Sequence, residues 1–259
     1  MFNNDLAGRF VTFGPSHLIA LAVIFILSGA VIVFKETLRK NRLFDVFRYG
    51  LASMIILQEI LLNVYRATAE TWTFADGLPF HLCGLAVLLS AYVLVTENRK
   101  LFMNTFFIMM IGAILALLTP AINKNYGFPH FRFIQFFVSH GLITINITFI
   151  LFVMDYQKDM RYVHVYKNAL SLLVIVIFAF VVNLITGGNY LYIMEKPGAN
   201  TAFDLFGDHP WYLVNIALFG VPVIFHLFYV PFLVRNIRFG IPGTPVGTRS
   251  EKRVEEGAA

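Results

Sequence analysis

Thiol, imidazole, amide and charged side chains occur inside long apolar stretches of this chain, where burying them is costly. We therefore treat them as candidate functional groups. Cys83 and His140 form the pair best suited to catalysis, because a thiolate is a nucleophile and an imidazole can accept its proton. The candidates for binding a substrate are His17, Glu59, Asn63, Arg66, His81, Gln135 and Asn183.

Cys83 is the only cysteine, which excludes an intramolecular disulfide and a multi-cysteine zinc site. Pro79 is typical of a first helical turn, so Cys83 is predicted to lie close to a helix N-terminus. The partial positive charge at that end favours a thiolate. The structural interpretation of Cys83 as a small buried apolar residue stays open, because that is the usual environment of a free cysteine.

The histidines are ranked as bases by their position relative to Cys83. His81 is two residues away, roughly 200° around a regular helix, so the two side chains do not share a face. His140 belongs to another segment and has no such restriction, which makes it the preferred general base.

Glu59, Asn63 and Arg66 follow i, i+4, i+7 spacing and share one helical face. Inside a membrane such a stripe must face protein or water. It is either part of a site or an internal ion pair that fixes helix packing.

The elements that position these groups are transmembrane helices. Of the 259 residues, 58% are hydrophobic and 14% charged, and about 20 apolar residues span a bilayer core. Seven segments qualify, near residues 15–34, 44–66, 79–96, 101–120, 133–154, 168–187 and 210–234. We predict an all-α, polytopic bundle of seven transmembrane helices within residues 1–239. The segment 240–259, rich in Gly, Pro and charge, is predicted to be a disordered cytoplasmic tail.

The distribution of Lys and Arg predicts the orientation of the bundle. Fourteen of them lie in the first, third and fifth connections and the tail, against five at the opposite end. This predicts an N-terminus outside, a cytoplasmic C-terminus, and polar candidates that converge in the outer half. The net charge of +5 does not indicate nucleic-acid binding, because the basic residues lie in short loops between apolar segments.

Four motifs carry a family resemblance: PFHLCGL (79–85), YGFPHFRFIQFFVSHGL (126–142), GGNYLYIMEKP (187–197) and DHPWY (208–212). Together they resemble the YwaF-type bacterial integral membrane proteins, which are related to the eukaryotic transmembrane acyltransferase that makes polyunsaturated ether phospholipids. The resemblance extends from Phe10 to Tyr229. It implies that Cys83, in HLC, is an acyl-accepting nucleophile and that His140, in SHG, is its partner.

The expected function is therefore an intramembrane acyltransferase or lipid hydrolase that acts on phospholipids or lysophospholipids without a cofactor. Arg66 is expected to hold the lipid phosphate. The expected location is a bacterial plasma membrane, which the chain crosses several times.

The alternative is a transporter or ligand-binding heptahelical protein with a buried Glu, Arg and His site. In its metal-binding form, the ligands would be His17, His81, His140 and Glu59, although no tight ligand spacing supports this. A retinal pigment is disfavoured because the seventh segment has no lysine. The two functions differ in their dependence on Cys83.

Overall fold

Seven helices of 15 residues or more make up the described part of the fold, which is known from a computed structural model. The structure describes residues 8–197 and 202–240, and these ranges contain helices and loops but no strand. The helices are α1 (Pro15–Val33), α2 (Asn41–Thr68), α3 (Leu82–Thr96), α4 (Arg99–Leu118), α5 (Phe131–Phe152), α6 (Val163–Thr186) and α7 (Trp211–Arg238). A helical turn, Lys35–Leu38, links α1 to α2, and Ile216–Gly220 within α7 is a π-helix.

Five of these helices, α1, α4, α5, α6 and α7, are long and apolar enough to cross a membrane. The helix α3 is apolar but has only 15 residues, and α2 has 28 residues interrupted by charges. Large apolar side chains such as Ile26, Leu170 and Ile185 project outward from the bundle. Since lipid is the environment that accommodates such a surface, the all-helical polytopic membrane bundle is confirmed. Its orientation stays a prediction.

The centre of the bundle is α5. In its most apolar stretch, 78% of the residues are buried, against 11% in α6 and in α7. Close approach of α1 depends on Gly141, because a Cβ there would lie 2.9 Å from Ile24 Cγ1. Hydroxyl groups of α5 bond along their own helix, as Thr144 does to the His140 carbonyl at 2.9 Å. The polar side chains of α5 from Gln135 to Thr148 are buried within the bundle.

Arginines hold together the end of the bundle where α5 finishes, which we call the lower end. Arg39 donates to the carbonyls of Phe152 and Val153, at 2.6 and 2.9 Å. These carbonyls belong to the last residues of α5 and have no partner within the helix. Arg48 is 6% exposed and pairs with Glu97 and with Asp45. Arg39, one of the basic residues that predict the orientation, therefore also joins helix ends.

The opposite end, called the upper end, carries the described segments 69–81, 119–130, 187–197 and 202–210. Helix boundaries depart from the expected ones by up to five residues. The largest difference is at α6, which starts at Val163 rather than near residue 168. Asn168 lies inside the helix, where its side chain bonds the backbone of Met103 and Phe107 in α4. Residues 241–259, which hold nearly all of the predicted disordered tail, lie outside the described ranges.

Candidate functional site

Cys83 is the second residue of α3 and is half-buried near the upper end. Pro79 precedes the helix rather than belonging to its first turn, and His81 is the N-cap residue. The first-turn amides have no partner within the helix, and those of Cys83 and Gly84 interact with the thiol. Gly84 packs so closely on Pro79 that a Cβ would lie 2.9 Å from its Cα. The thiol therefore occupies the positive end of a helix whose start is held by tight packing.

Three charged side chains lie within electrostatic range of the Cys83 thiol: Glu59 and Arg66 of α2, and Arg132 of α5. The two guanidinium groups are also within range of each other. Two of these three groups are cationic, and a second carboxylate, that of Asp76, acts together with Arg66 on the neighbouring His81. Guanidinium pairs of this kind suit a phosphate or another oxyanion.

A chain of side-chain hydrogen bonds crosses from α5 to α2. Arg132 Nη1 donates to Gln135 Oε1 at 2.6 Å, and Gln135 Nε2 donates to Gln58 Oε1 at 3.2 Å. Gln58 Nε2 then donates to Glu59 Oε2 at 3.4 Å. Through this chain, the position of the Glu59 carboxylate is coupled to that of the Arg132 guanidinium.

The same chain continues into the 69–81 loop. Asn63 Nδ2 donates to Glu59 Oε1 at 3.3 Å, and Trp72 Nε1 donates to Asn63 Oδ1 at 3.0 Å. Arg66 Nη1 bonds to the Asp76 carbonyl at 3.1 Å. The predicted stripe on α2 thus interacts with the loop above it as well as with α5.

The sequence reasoning missed two members of this site. Gln58 is 6% exposed and connects Glu59 with Gln135. The sequence did carry a signal for Gln58, because it places an amide next to the Glu59 carboxylate within an apolar segment. Arg132 was counted only as a basic residue of the upper loops, and its position beside Cys83 could not be read from sequence.

His140 is 5% exposed, and its orientation favours a basic Nε2. Its Nδ1 lies 2.8 Å from the Phe136 carbonyl oxygen. Since a carbonyl only accepts, Nδ1 carries the proton, and in the neutral ring Nε2 is the lone-pair nitrogen. No hydrogen bond joins His140 to Cys83 among the described residues.

The depth of His140 can nevertheless be compared with that of Cys83. Asn146 of α5 donates to Ser90 of α3 at 3.4 Å, which fixes the register of these two parallel helices. Ser90 is seven residues beyond Cys83 and Asn146 is six beyond His140, so the two candidates differ in depth by about 2 Å. His140 lies roughly 120° around α5 from the Asn146 face. The structure therefore brings thiol and imidazole to one level without placing them in contact.

Two other candidates are already fully hydrogen-bonded within the protein. His17 is completely buried, accepts from the Phe13 amide at Nδ1 and donates from Nε2 to the Leu117 carbonyl, both at 2.8 Å. Asn183 accepts from the Tyr190 amide at 2.7 Å and donates to the Tyr190 carbonyl at 3.0 Å. These contacts tie α1 to α4 and the 187–192 segment to α6, which is a structural role.

His81 forms part of an aromatic cluster above Cys83. Its ring lies 5.3 Å from that of Tyr190 and 5.1 Å from that of Tyr192. The buried Tyr190 hydroxyl donates to the Phe74 carbonyl at 2.8 Å and accepts from the Leu78 amide at 3.0 Å. The 187–192 segment therefore packs on the 69–81 loop and covers the upper side of the site. Within the described ranges, no group of three or more His, Cys, Asp or Glu residues is arranged to hold a metal ion.

A groove opens beside the site, between α2 and α3. Its upper part has a volume of about 620 Å³ and is polar at Glu59, Asn63 and Trp72. Its lower part, of about 590 Å³, shares the apolar side chains Ile56, Ile60 and Leu88 with the upper part. The lower part is further lined by Tyr49, Ala52, Ser53, Leu57, Ala91, Tyr92 and Val95. Although these polar residues border it, the surface of the groove is mainly apolar in its upper part as well as in its lower part.

Comparison with known proteins identifies relatives of the chain. Residues 12–228 match the TMEM164 family. An uncharacterized protein of Treponema pallidum (strain Nichols) is 24% identical over 200 residues, which cover 76% of this chain and 81% of the relative. No solved structure matches the chain. The family match agrees with the acyltransferase part of the resemblance, whereas the YwaF designation is not confirmed.

Proposed function

The chain belongs to the TMEM164 family, and from this premise we propose that it is an intramembrane acyltransferase or lipid hydrolase with Cys83 as its nucleophile. The observation that carries the proposal is the position of the lone thiol. It lies at a helix N-terminus and within electrostatic range of two guanidinium groups, on a helix that also borders an apolar groove. A phospholipid offers an anionic headgroup to guanidinium groups and apolar chains to the membrane-facing surface.

In the first step, Cys83 Sγ attacks the carbonyl carbon of a phospholipid acyl ester. Its proton passes through an intervening water molecule to His140 Nε2, which lies at the same depth without contacting the thiol. The S–C bond forms, the ester C–O bond breaks, and the proton moves on to the departing alkoxide of the lysophospholipid. In the second step, a lysophospholipid hydroxyl or water attacks the thioester and gives its proton to His140. The thiolate leaves and is reprotonated, and no oxidant, reductant or cofactor is consumed.

The surrounding residues have distinct roles in this scheme. Arg66 and Arg132 hold the lipid phosphate, and the chain through Gln135 and Gln58 keeps Glu59 and Arg132 in position. The first-turn amides of α3 stabilise the oxyanion that develops on the carbonyl oxygen. Asn63 and His81 border the substrate, while His17 and Asn183 support the scaffold. The protein acts in the cell membrane, where its substrates are dissolved.

The test uses the full chain, purified and reconstituted into phospholipid vesicles with a labelled lysophospholipid. Labelled diacyl product and free fatty acid are measured together, so that transfer and hydrolysis are both detected. We expect Cys83→Ala to lower acyl turnover by about 10³-fold or more and His140→Gln by about 10² to 10⁴-fold. An acyl thioester should be trapped on the wild-type thiol and be absent from Cys83→Ala.

Thr96→Val is the matched control, because Thr96 lies exposed at the far end of α3, bonds the Tyr92 carbonyl of its own helix and is outside the proposed chemistry. Full acyl turnover in the Cys83→Ala protein would refute the nucleophile. Substrate uptake or ligand binding that is lost in Glu59→Gln but unchanged in Cys83→Ala would instead establish the transporter or ligand-binding alternative.

A further inference from the structure

Tyr192 is the last residue of the 187–192 segment, which covers the upper side of the site. Its ring lies 5.1 Å from that of His81, the N-cap residue of α3, and 5.6 Å from that of Phe203. The Tyr192 side chain is also within electrostatic range of the Cys83 thiol. It therefore lies over the start of α3, at the end of the helix where the thiol is found.

The backbone at this position has a conformation that large side chains rarely adopt. Leu191 and Tyr192 have φ angles of 59° and 56°, in the left-handed region. Two hydrogen bonds hold the Tyr192 backbone there. Its amide donates to the Asn189 carbonyl at 3.0 Å, and the Tyr212 hydroxyl donates to its carbonyl. Strained residues persist only where the surrounding structure enforces them, and they concentrate at functional sites.

The Tyr192 hydroxyl differs from those of the neighbouring tyrosines. Tyr190 and Tyr212 both use their hydroxyl groups to bond backbone groups of the upper loops. Tyr192 is half-buried, and its hydroxyl has no hydrogen-bond partner among the residues that the structure describes. Since a phenol removed from water usually donates a hydrogen bond, this one is available to a ligand at the site.

The amides at the start of α3 face the same region. The N–H groups of a helix point toward its N-terminus, so those of Cys83 and Gly84 are directed toward the side that the 187–192 segment covers. An oxygen atom bound at this helix end lies between these amides below and the Tyr192 hydroxyl above. Donors that converge on one oxygen from two sides are the arrangement that stabilises an oxyanion.

We propose that the Tyr192 hydroxyl donates a hydrogen bond to the carbonyl oxygen of the acyl ester while Cys83 Sγ attacks the carbonyl carbon. The inference rests on the proposed function, because this oxyanion forms only when the thiol is acylated. As the S–C bond forms, the electron pair of the carbonyl π bond moves onto the oxygen, where Tyr192 and the first-turn amides stabilise it. The pair then returns and the ester C–O bond breaks. Tyr192 keeps its proton throughout, and it makes the same bond when water or a lysophospholipid hydroxyl attacks the thioester.

The experiment uses Tyr192→Phe, which removes the hydroxyl and keeps the ring on His81. Because Cys83 is the only cysteine, thiol reagents report on this one group in the full chain reconstituted into vesicles. A para-nitrophenyl acyl ester acylates the thiol through an oxyanion, whereas iodoacetamide alkylates it by direct displacement without one. Mass spectrometry measures both labels on the Cys83 peptide over time. We expect Tyr192→Phe to slow acylation by about 10² to 10³-fold and to leave the rate of alkylation unchanged.

Tyr166→Phe is the matched control. It removes the same group at the lower end, where the exposed Tyr166 bonds only the Tyr162 hydroxyl among the described residues, and it should be acylated at the wild-type rate. Hydrogen exchange of the 187–192 segment tests for a structural role. We expect the same exchange in Tyr192→Phe as in the wild-type protein, because the lost hydroxyl bonds nothing within that segment.

The results that would overturn this role differ from those that would overturn the proposed function. Equal acylation of Tyr192→Phe and the wild-type protein would show that the hydroxyl does not act. Acylation and alkylation that slow together would place its effect on the thiol itself, and faster exchange of the 187–192 segment would show that its role is structural. Each of these outcomes refutes the oxyanion donor and leaves Cys83 as the nucleophile. A wild-type thiol that the ester does not acylate, in a protein without acyl turnover, would refute both.

Discussion

The strongest structural prediction concerns Asn183, which the sequence offered as a substrate-binding residue. Its side chain is 2% exposed and makes both hydrogen bonds of the Tyr190 backbone, at 2.7 and 3.0 Å. Tyr190 is fully buried, so water cannot replace these bonds. The change Asn183→Leu preserves the approximate volume and leaves one amide and one carbonyl without partners. At about 1 to 3 kcal/mol for each of the two buried groups, the expected cost is about 2 to 6 kcal/mol.

The cost should appear first as local opening of the 187–192 segment, because α6 itself does not depend on these bonds. Hydrogen exchange measured by mass spectrometry should speed up by about 30-fold or more in peptides covering Gly187–Tyr192. Asn189→Leu is the matched control. Asn189 bonds Met194 and Glu195 in an exposed setting, where water replaces the lost partners at little cost.

The 187–192 segment covers the site, because Tyr190 and Tyr192 pack on His81 above the thiol. We therefore expect acyl turnover to fall in Asn183→Leu in parallel with the opening of this segment. If the segment exchanges as slowly as in the wild-type protein while the KM for lipid rises, Asn183 is a substrate contact. The structural reasoning would then be wrong.

Two further predictions concern the lower end and the orientation. Partial burial raises the pKa of Asp155, but its hydrogen bond and ion pair with Lys158, together with Arg39, hold that pKa below the usual 3.8. Asp155→Asn, which keeps a residue type suited to the positive φ of 65°, should therefore lower the free energy of unfolding by about 1 kcal/mol at pH 7. Because a depressed carboxyl pKa stabilises the native state above the unfolded pKa, the difference in thermal midpoint should disappear as the pH falls below about 3; a difference that persists there would show that charge is not its cause. For the orientation, Lys40→Cys should resist a membrane-impermeant maleimide in intact cells and Lys124→Cys should react, both in a Cys83→Ala background; the reverse pattern would overturn the predicted topology.

Several features of the site were predictable because they depend on local sequence. Apolar runs of about 20 residues predict helices wherever they occur, so the seven segments could be placed to within five residues. The i, i+4, i+7 spacing of Glu59, Asn63 and Arg66 placed them on one face, and the structure connects that face to the site. The position of Cys83 near a helix start also followed from the chain around it.

Only the tertiary structure decided which polar side chains already have partners. His17 bonds a carbonyl 100 residues away, and Asn168 bonds groups more than 60 residues away. Spacing along the chain cannot distinguish such satisfied groups from free ones, because the partner is set by how helices pack. For the same reason Gln58 and Arg132 joined the site only through contacts between α2 and α5.

The groove is the clearest feature that sequence could not reveal. Ser53, Ala91 and Leu88 are unremarkable residues of apolar helices, and they border an open groove only because α2 and α3 pack antiparallel in one register. The sequence by itself determined that this is a helical membrane protein with one thiol at the level of its polar groups. The register between helices, which depends on side-chain packing summed over the whole bundle, determined what surrounds that thiol and what can reach it.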